Sequence, residues 1–216
     1  MLLQLLQTSP LTFAIVAVVL LYSLALHELG HAWVADRMGD KTARNLGRVT
    51  LNPIKHLDPL GTLLLLLVGF GWAKPVPIQP SNFRNFRAGL FWVSIAGILV
   101  NLAIAIIALV VLATLGVRLS AAGQVVGINT QLELGLFYAA RINILLAVFN
   151  LLPIPPLDGS KILQAFLPRA AQQAMWQLER YGFLIVVLVI TLLRDQVYGL
   201  INFVTVSLMS VILGVT

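Results

Sequence analysis

Long apolar stretches without charge occupy residues 1–26, 59–73, 88–117, 142–157, 181–193 and 196–216. A helix crossing the hydrocarbon of a bilayer needs about 20 mostly apolar residues, so the first, third and last stretches are long enough outright. The fourth reaches that length if its helix begins near Glu133 and takes in Arg141, whose long side chain can extend toward the surface. The fifth is short, and whether it spans fully is open. The second, opened by Pro59-Leu60-Gly61 and closed by Gly69-Phe70-Gly71, is too short to cross and predicts a segment that dips in and returns. The first helix is expected at roughly residues 9–35. The chain start shows neither the basic leader nor the small-residue cleavage pattern of a secretory signal, so this helix is expected to be retained.

Composition supports lipid as the solvent: 59% of the 216 residues are hydrophobic and 10% are charged, with a mean hydropathy of +0.95, where a soluble domain carries about 25% charge. The chain is expected to be one integral membrane domain, residues 1–216. Its net charge of +6 does not point to nucleic acid, because the basic residues are spread over loops. They instead report topology. If residues 59–73 return to the side they left, eleven Lys and Arg fall on one face against Arg118 and Arg194 on the other; a crossing there would erase the bias. Cytoplasmic loops are enriched in Lys and Arg, so the chain is expected to cross five times, N-terminus outside and C-terminus inside. Trp33, Trp72, Trp92 and Trp176 then fall near the inner interface. Val49-Thr50-Leu51-Asn52 alternates as a short strand would, and the prolines of residues 74–80 require extended backbone. The expected fold is an all-α polytopic membrane protein with about five transmembrane helices, a re-entrant segment and short membrane-associated β-strands.

The first helix contains His27-Glu28-Leu29-Gly30-His31. Histidines four apart on a helix share a face and can place two imidazole nitrogens on one ion, with the intervening glutamate near enough to take a proton from water there. Three ionisable groups at membrane depth are expensive without a task. The chain has no cysteine, so a third ligand must be a nitrogen or oxygen donor. Position leaves His56, Asp58 and Asp158. Asp158 follows Pro153, Pro155 and Pro156, which end a helix and stiffen the backbone at the inner end of an apolar segment; His56 and Asp58 belong to a turn between Pro53 and Pro59. Context favours Asp158, with His56 as the alternative.

Four stretches taken together, His27 to His31, residues 52–62, Gly71-Trp-Ala-Lys-Pro-Val-Pro77 and residues 150–159, resemble the site-2 protease family of intramembrane zinc metallopeptidases. The resemblance implies Zn2+ as cofactor, His27, His31 and Asp158 as its ligands and Glu28 as the catalytic base. It also implies cleavage of a peptide bond within or beside the transmembrane helix of a single-pass protein, such as a membrane-tethered regulator or anti-sigma factor. Asn150 would bind substrate backbone or the oxyanion, unless its amide simply caps broken helix backbone. Where relatives tend to read Ala-Gly-Pro-x-x-Asn, this chain has Ala96-Gly97-Ile98-Leu-Val-Asn101; Gly97 and Asn101 read as helix-packing residues. PDZ or CBS domains are not expected. The expected location is the cell (inner) membrane, with the active site toward the cytoplasm.

Two other functions compete with this reading. A membrane zinc transporter would use the same ligands but gives Glu28 no duty, and five crossings without repeated halves suit it poorly. A catalytically inactive helix-binding scaffold would not require His27, Glu28, His31 and Asp158 all to be present.

Overall fold

The computed structural model describes residues 2–68 and 71–215; Gly69 and Phe70, at the expected close of the re-entrant run, lie outside the described residues. In chain order the elements are α1 (Leu2–Thr8), α2 (Pro10–Met38), α3 (Thr42–Asn45), α4 (Pro59–Val68), α5 (Phe86–Thr114), β1 (Arg118–Leu119), β2 (Val125–Val126), α6 (Gln131–Leu151), α7 (Asp158–Gln164), α8 (Arg169–Glu179), α9 (Gly182–Leu192) and α10 (Arg194–Leu213). Four of these, α2, α5, α6 and α10, are long and apolar enough to cross a membrane. The expected fifth crossing falls on α9, an 11-residue helix bent by 82° from α8. The pair counts as a fifth span only if the two are taken together.

Local chemistry sets the ends of the long helices. Pro10 opens α2 at a position where its missing N–H costs nothing, and Gly39 at φ 114° closes it. A Cβ at Gly39 would also lie 2.9 Å from the Asn82 carbonyl oxygen. The Asn85 side chain accepts from the Ala88 N–H to start α5. Thr130 and Glu133 form a reciprocal capping box at the start of α6, satisfying donors that the first turn leaves unpaired. Arg141, within α6, lays its guanidinium 5.5 Å from the centre of the Phe137 ring.

Residues 59–73 leave and return at one place. Leu57 pairs antiparallel with Ala73, and the Lys74 N–H donates to the His56 carbonyl at 2.8 Å, so the two ends of the run are tied to each other. Between them α4 has 10 residues, about 15 Å of helix, roughly half the hydrocarbon thickness. The strand expected at residues 49–52 does not form. The chain bends there, because side chains take the backbone partners a strand would need: Asn52 caps the turn Pro53–His56 and the His56 Nε2 binds the Thr50 carbonyl at 3.0 Å. Among the described residues the strands are β1 and β2, an antiparallel pair with Arg118 opposite Val126.

The core lies where α5, α6 and α10 meet. Ala105, Ala108, Leu109 and Leu112 pack with Ala140, Ile144, Val148, Met209 and Leu213. Small residues at such contacts let backbones approach where lipid offers no hydrophobic incentive to associate. On the other side α5 packs against α2, where a Cβ at Gly30 would already sit 3.0 Å from Val100 Cγ2. Ser23, His27 and His31 of α2 are thereby buried with partners on α5 and α6.

Candidate metal centre

His27 and His31 stand one turn apart on α2, each 5% exposed, and Asp158, 7% exposed, opens α7. The Nε2 atoms of the two imidazoles are 3.0 Å apart, and the Asp158 Oδ2 lies 3.1 Å from each. Asp158 reaches this point because Gly159 lets α7 start against the end of α6: a Cβ there would fall 2.1 Å from the Leu151 carbonyl oxygen.

The other nitrogen of each ring fixes which one is free. The His31 Nδ1 lies 2.6 Å from the Val93 carbonyl, an acceptor only, so Nδ1 carries the proton and Nε2 presents a lone pair. His27 is held by a chain of amides. The Asn143 Nδ2 donates to the Ala139 carbonyl and to Ser23 Oγ, both at 2.8 Å. That turns its Oδ1 toward Asn101, whose Nδ2 donates to it at 2.7 Å. Asn101 is thereby left presenting Oδ1 to the His27 Nδ1 at 2.6 Å. With both rings neutral, two imidazole lone pairs and a carboxylate oxygen converge on one point. This arrangement suits a cation: zinc ligands at about 2.0 Å in a tetrahedron stand ~3.3 Å apart, close to the edges observed. Among the described residues these three form the group of His and acidic side chains close enough to share a metal.

Glu28 lies beside the triad, its Oε2 accepting the Val76 N–H at 2.7 Å. Glu28, His27, His31 and Asp158 all line a cavity of about 1070 Å³ whose lining also includes Trp72, Phe149 and Phe183. Asn150, near the end of α6, lines the same cavity, and its Nδ2 donates to the Leu146 carbonyl at 3.0 Å. His56 is not brought to the triad; it is buried in its own turn. Asp58 accepts the Gly61 N–H at the start of α4.

Gly97 and Asn101, read from sequence as packing residues, belong to the site. A Cβ on Gly97 would lie 2.6 Å from the His27 Cε1 and 2.6 Å from the His31 Nε2. Their spacing was the available signal: four residues apart, they share one face of α5 as the histidines share one face of α2.

A membrane-embedded helical domain carrying this buried His-His-Asp triangle beside a glutamate has the make-up of a zinc metallopeptidase. The chain belongs to peptidase family M50, whose model matches residues 15–132 and 117–193. It is 43% identical over 184 residues to YwhC of Bacillus subtilis (strain 168), covering 83% of this chain and 82% of that protein. It is 32% identical over 175 residues to Rip2 of Mycolicibacterium smegmatis, covering 79% of this chain and 64% of that one. Both relatives bear the name "Putative zinc metalloprotease". MJ0392 of Methanocaldococcus jannaschii, named "Zinc metalloprotease", is 28% identical over 172 residues, 80% of this chain and 37% of its own length. No solved structure gives a significant match. The protein is thus a multi-pass membrane zinc metalloprotease, as its site-2 protease motifs imply.

Proposed function

We propose that the protein is an intramembrane endopeptidase that cuts a peptide bond within or beside the transmembrane helix of single-pass proteins, membrane-tethered regulators or anti-sigma factors among them. The observation that carries this reading is the convergence of three buried lone-pair donors and a carboxylate, Glu28, on one cavity inside a helical membrane domain. His27, His31 and Asp158 would hold zinc. When bound, zinc acidifies water and polarises a scissile carbonyl.

Glu28 takes the proton of the attacking water and delivers it to the leaving amide nitrogen. With Oε2 engaged by the Val76 N–H, the proton is carried on Oε1, which has no protein partner among the described residues. Asn101 and the Val93 carbonyl hold both imidazoles in the tautomer that leaves Nε2 bare. Asn150 binds substrate backbone or the developing oxyanion through the part of its amide not spent on Leu146. The triad faces the cytoplasmic side of the cell (inner) membrane, the side that collects most of the Lys and Arg.

The decisive experiment compares purified wild type, Glu28→Gln and Asp158→Ala in detergent for zinc content and for cleavage of a panel of single-pass helices. Wild type should bind about one zinc and cut, Glu28→Gln should bind zinc without cutting, and Asp158→Ala should lose the metal. Cleavage by Glu28→Gln would overturn the proposed function. Asn150→Ala should lower kcat with zinc retained, whereas Asn150→Ala with full kcat reduces Asn150 to a helix cap.

A further inference from the structure

Residues 74–79 run extended past Glu28, and polar side chains grip them on both sides of that contact. Arg48, 7% exposed, donates from Nη2 to the Lys74 carbonyl at 2.8 Å and from Nη1 to the Pro75 carbonyl at 3.2 Å. Asp40, fully buried, accepts the Gln79 N–H on Oδ2 at 2.7 Å. Its Oδ1 takes the Asn82 amide at 2.9 Å, the Thr42 N–H at 3.1 Å and the Thr42 hydroxyl. Burial alone would raise the Asp40 carboxyl, but the hydrogen bonds from Gln79, Thr42 and Asn82 outweigh it and hold the group below the ordinary carboxylate value.

The segment between the grips has one use for its backbone. Pro75 and Pro77 carry no N–H, so Val76 supplies the only donor between Lys74 and Ile78, and it goes to Glu28. The Val76 side chain is buried against Ala32 and Ala43, which presses the segment onto α2 one turn beyond Glu28. A bond from a neutral donor to a charged carboxylate is stronger than an ordinary one, but it orients Glu28 only if the donor itself is held still.

We propose that Arg48 is a positioning residue for the base: by holding the Lys74 and Pro75 carbonyls, with Asp40 anchoring Gln79, it keeps the Val76 N–H on one oxygen of Glu28 and leaves the other to move the proton. This rests on Glu28 being the base. Misplacing a reacting group by about 1 Å costs on the order of 100-fold in rate, so releasing the grip should be felt in kcat while binding of substrate and metal persists.

The test uses the full zinc-loaded chain in detergent and a quenched-fluorescent synthetic transmembrane peptide as probe. Arg48→Ala is expected to lower kcat about 10- to 100-fold with KM within about twofold and zinc retained. Arg48→Lys, which keeps one donor, should recover part of the loss. Val76→Pro removes the N–H itself, and the double variant should be no slower than the worse single one, the non-additivity of two changes acting on one contact. A second arm needs no cleavage: backbone hydrogen exchange at Val76 should speed up in Glu28→Ala and in Arg48→Ala alike. Full kcat in Arg48→Ala, loss of zinc or of thermal stability in step with kcat, or Val76 exchange indifferent to both changes would each overturn the proposal. Undiminished cleavage by Glu28→Gln with normal Val76 protection would instead sink the assignment of the base, and the proposal with it, while leaving the grip intact.

Discussion

The Oδ1 of Asn101 on α5 lies 2.6 Å from the Nδ1 of His27 on α2, and this contact decides which nitrogen of His27 is left for a metal. Metal-binding histidines are oriented by the partner of their other nitrogen, and removing such a partner commonly costs 10- to 100-fold in affinity. Asn101→Leu should therefore weaken zinc binding by about that factor, measured by competition with a chelator. Unchanged affinity would mean that the amide chain does not set the tautomer.

Gly97 makes room for both imidazoles. Gly97→Ala places a methyl 2.6 Å from His27 Cε1 and from His31 Nε2, closer than real contacts allow, so the rings must swing off the triangle. The expected result is loss of bound zinc and of cleavage with helicity by circular dichroism unchanged.

Gly159 plays a different part, since the atoms a side chain would strike there are backbone. A Cβ would stand 2.1 Å from the Leu151 and 2.4 Å from the Leu152 carbonyl oxygens, which cannot rotate aside. Gly159→Ala should displace α7, carrying Asp158 with it, and should lower the unfolding temperature of the metal-free protein more than Gly97→Ala does. Equal temperatures for the two variants would refute this distinction.

Asp40 predicts an acid limb. Its folded-state pKa is lowered, so its charge contributes stability above the unfolded value of about 3.9. That contribution is lost as pH falls through the lower folded value. Below about pH 4, the extended segment should become more open to limited proteolysis. The difference between wild type and Asp40→Asn should shrink over the same range. A difference that is constant with pH would rule out the Asp40 charge as the anchor.

The parts of this molecule that were legible in its sequence are those where one local rule dominates. Uninterrupted apolar length marked α2, α5 and α10, and α6 once Glu133 and Arg141 were taken into its span; the four-residue spacing of His27 and His31 fixed a shared face without any knowledge of the fold. Prolines at 75, 77 and 80 announced extended backbone, and the structure keeps it as far as Gln79, with Pro80 opening a short turn. The strand expected at residues 49–52 failed because four alternating residues are too few to outweigh the capping side chains of Asn52 and His56. Gly97 and Asn101 were opaque for the opposite reason. Inside a long apolar helix a glycine and an asparagine look like packing devices, and their relation to His27 exists only once α5 lies against α2. Arg48 and Asp40 were similarly silent, because what they hold is backbone 26 to 39 residues away.

The hydrogen-bonded chain from Ser23 through Asn143 and Asn101 to His27 draws on three helices, and Asp158 adds a fourth element 131 residues downstream of His27. During synthesis His27 and His31 emerge together, but the residue that sets the His27 tautomer, the residue that turns that amide, and the closing carboxylate arrive one after another. A partly inserted chain thus holds two histidines and no triangle. If the triangle holds zinc, metal can load only after α2, α5, α6 and the start of α7 have come together, so a chain halted short of Asp158 would be an inert one.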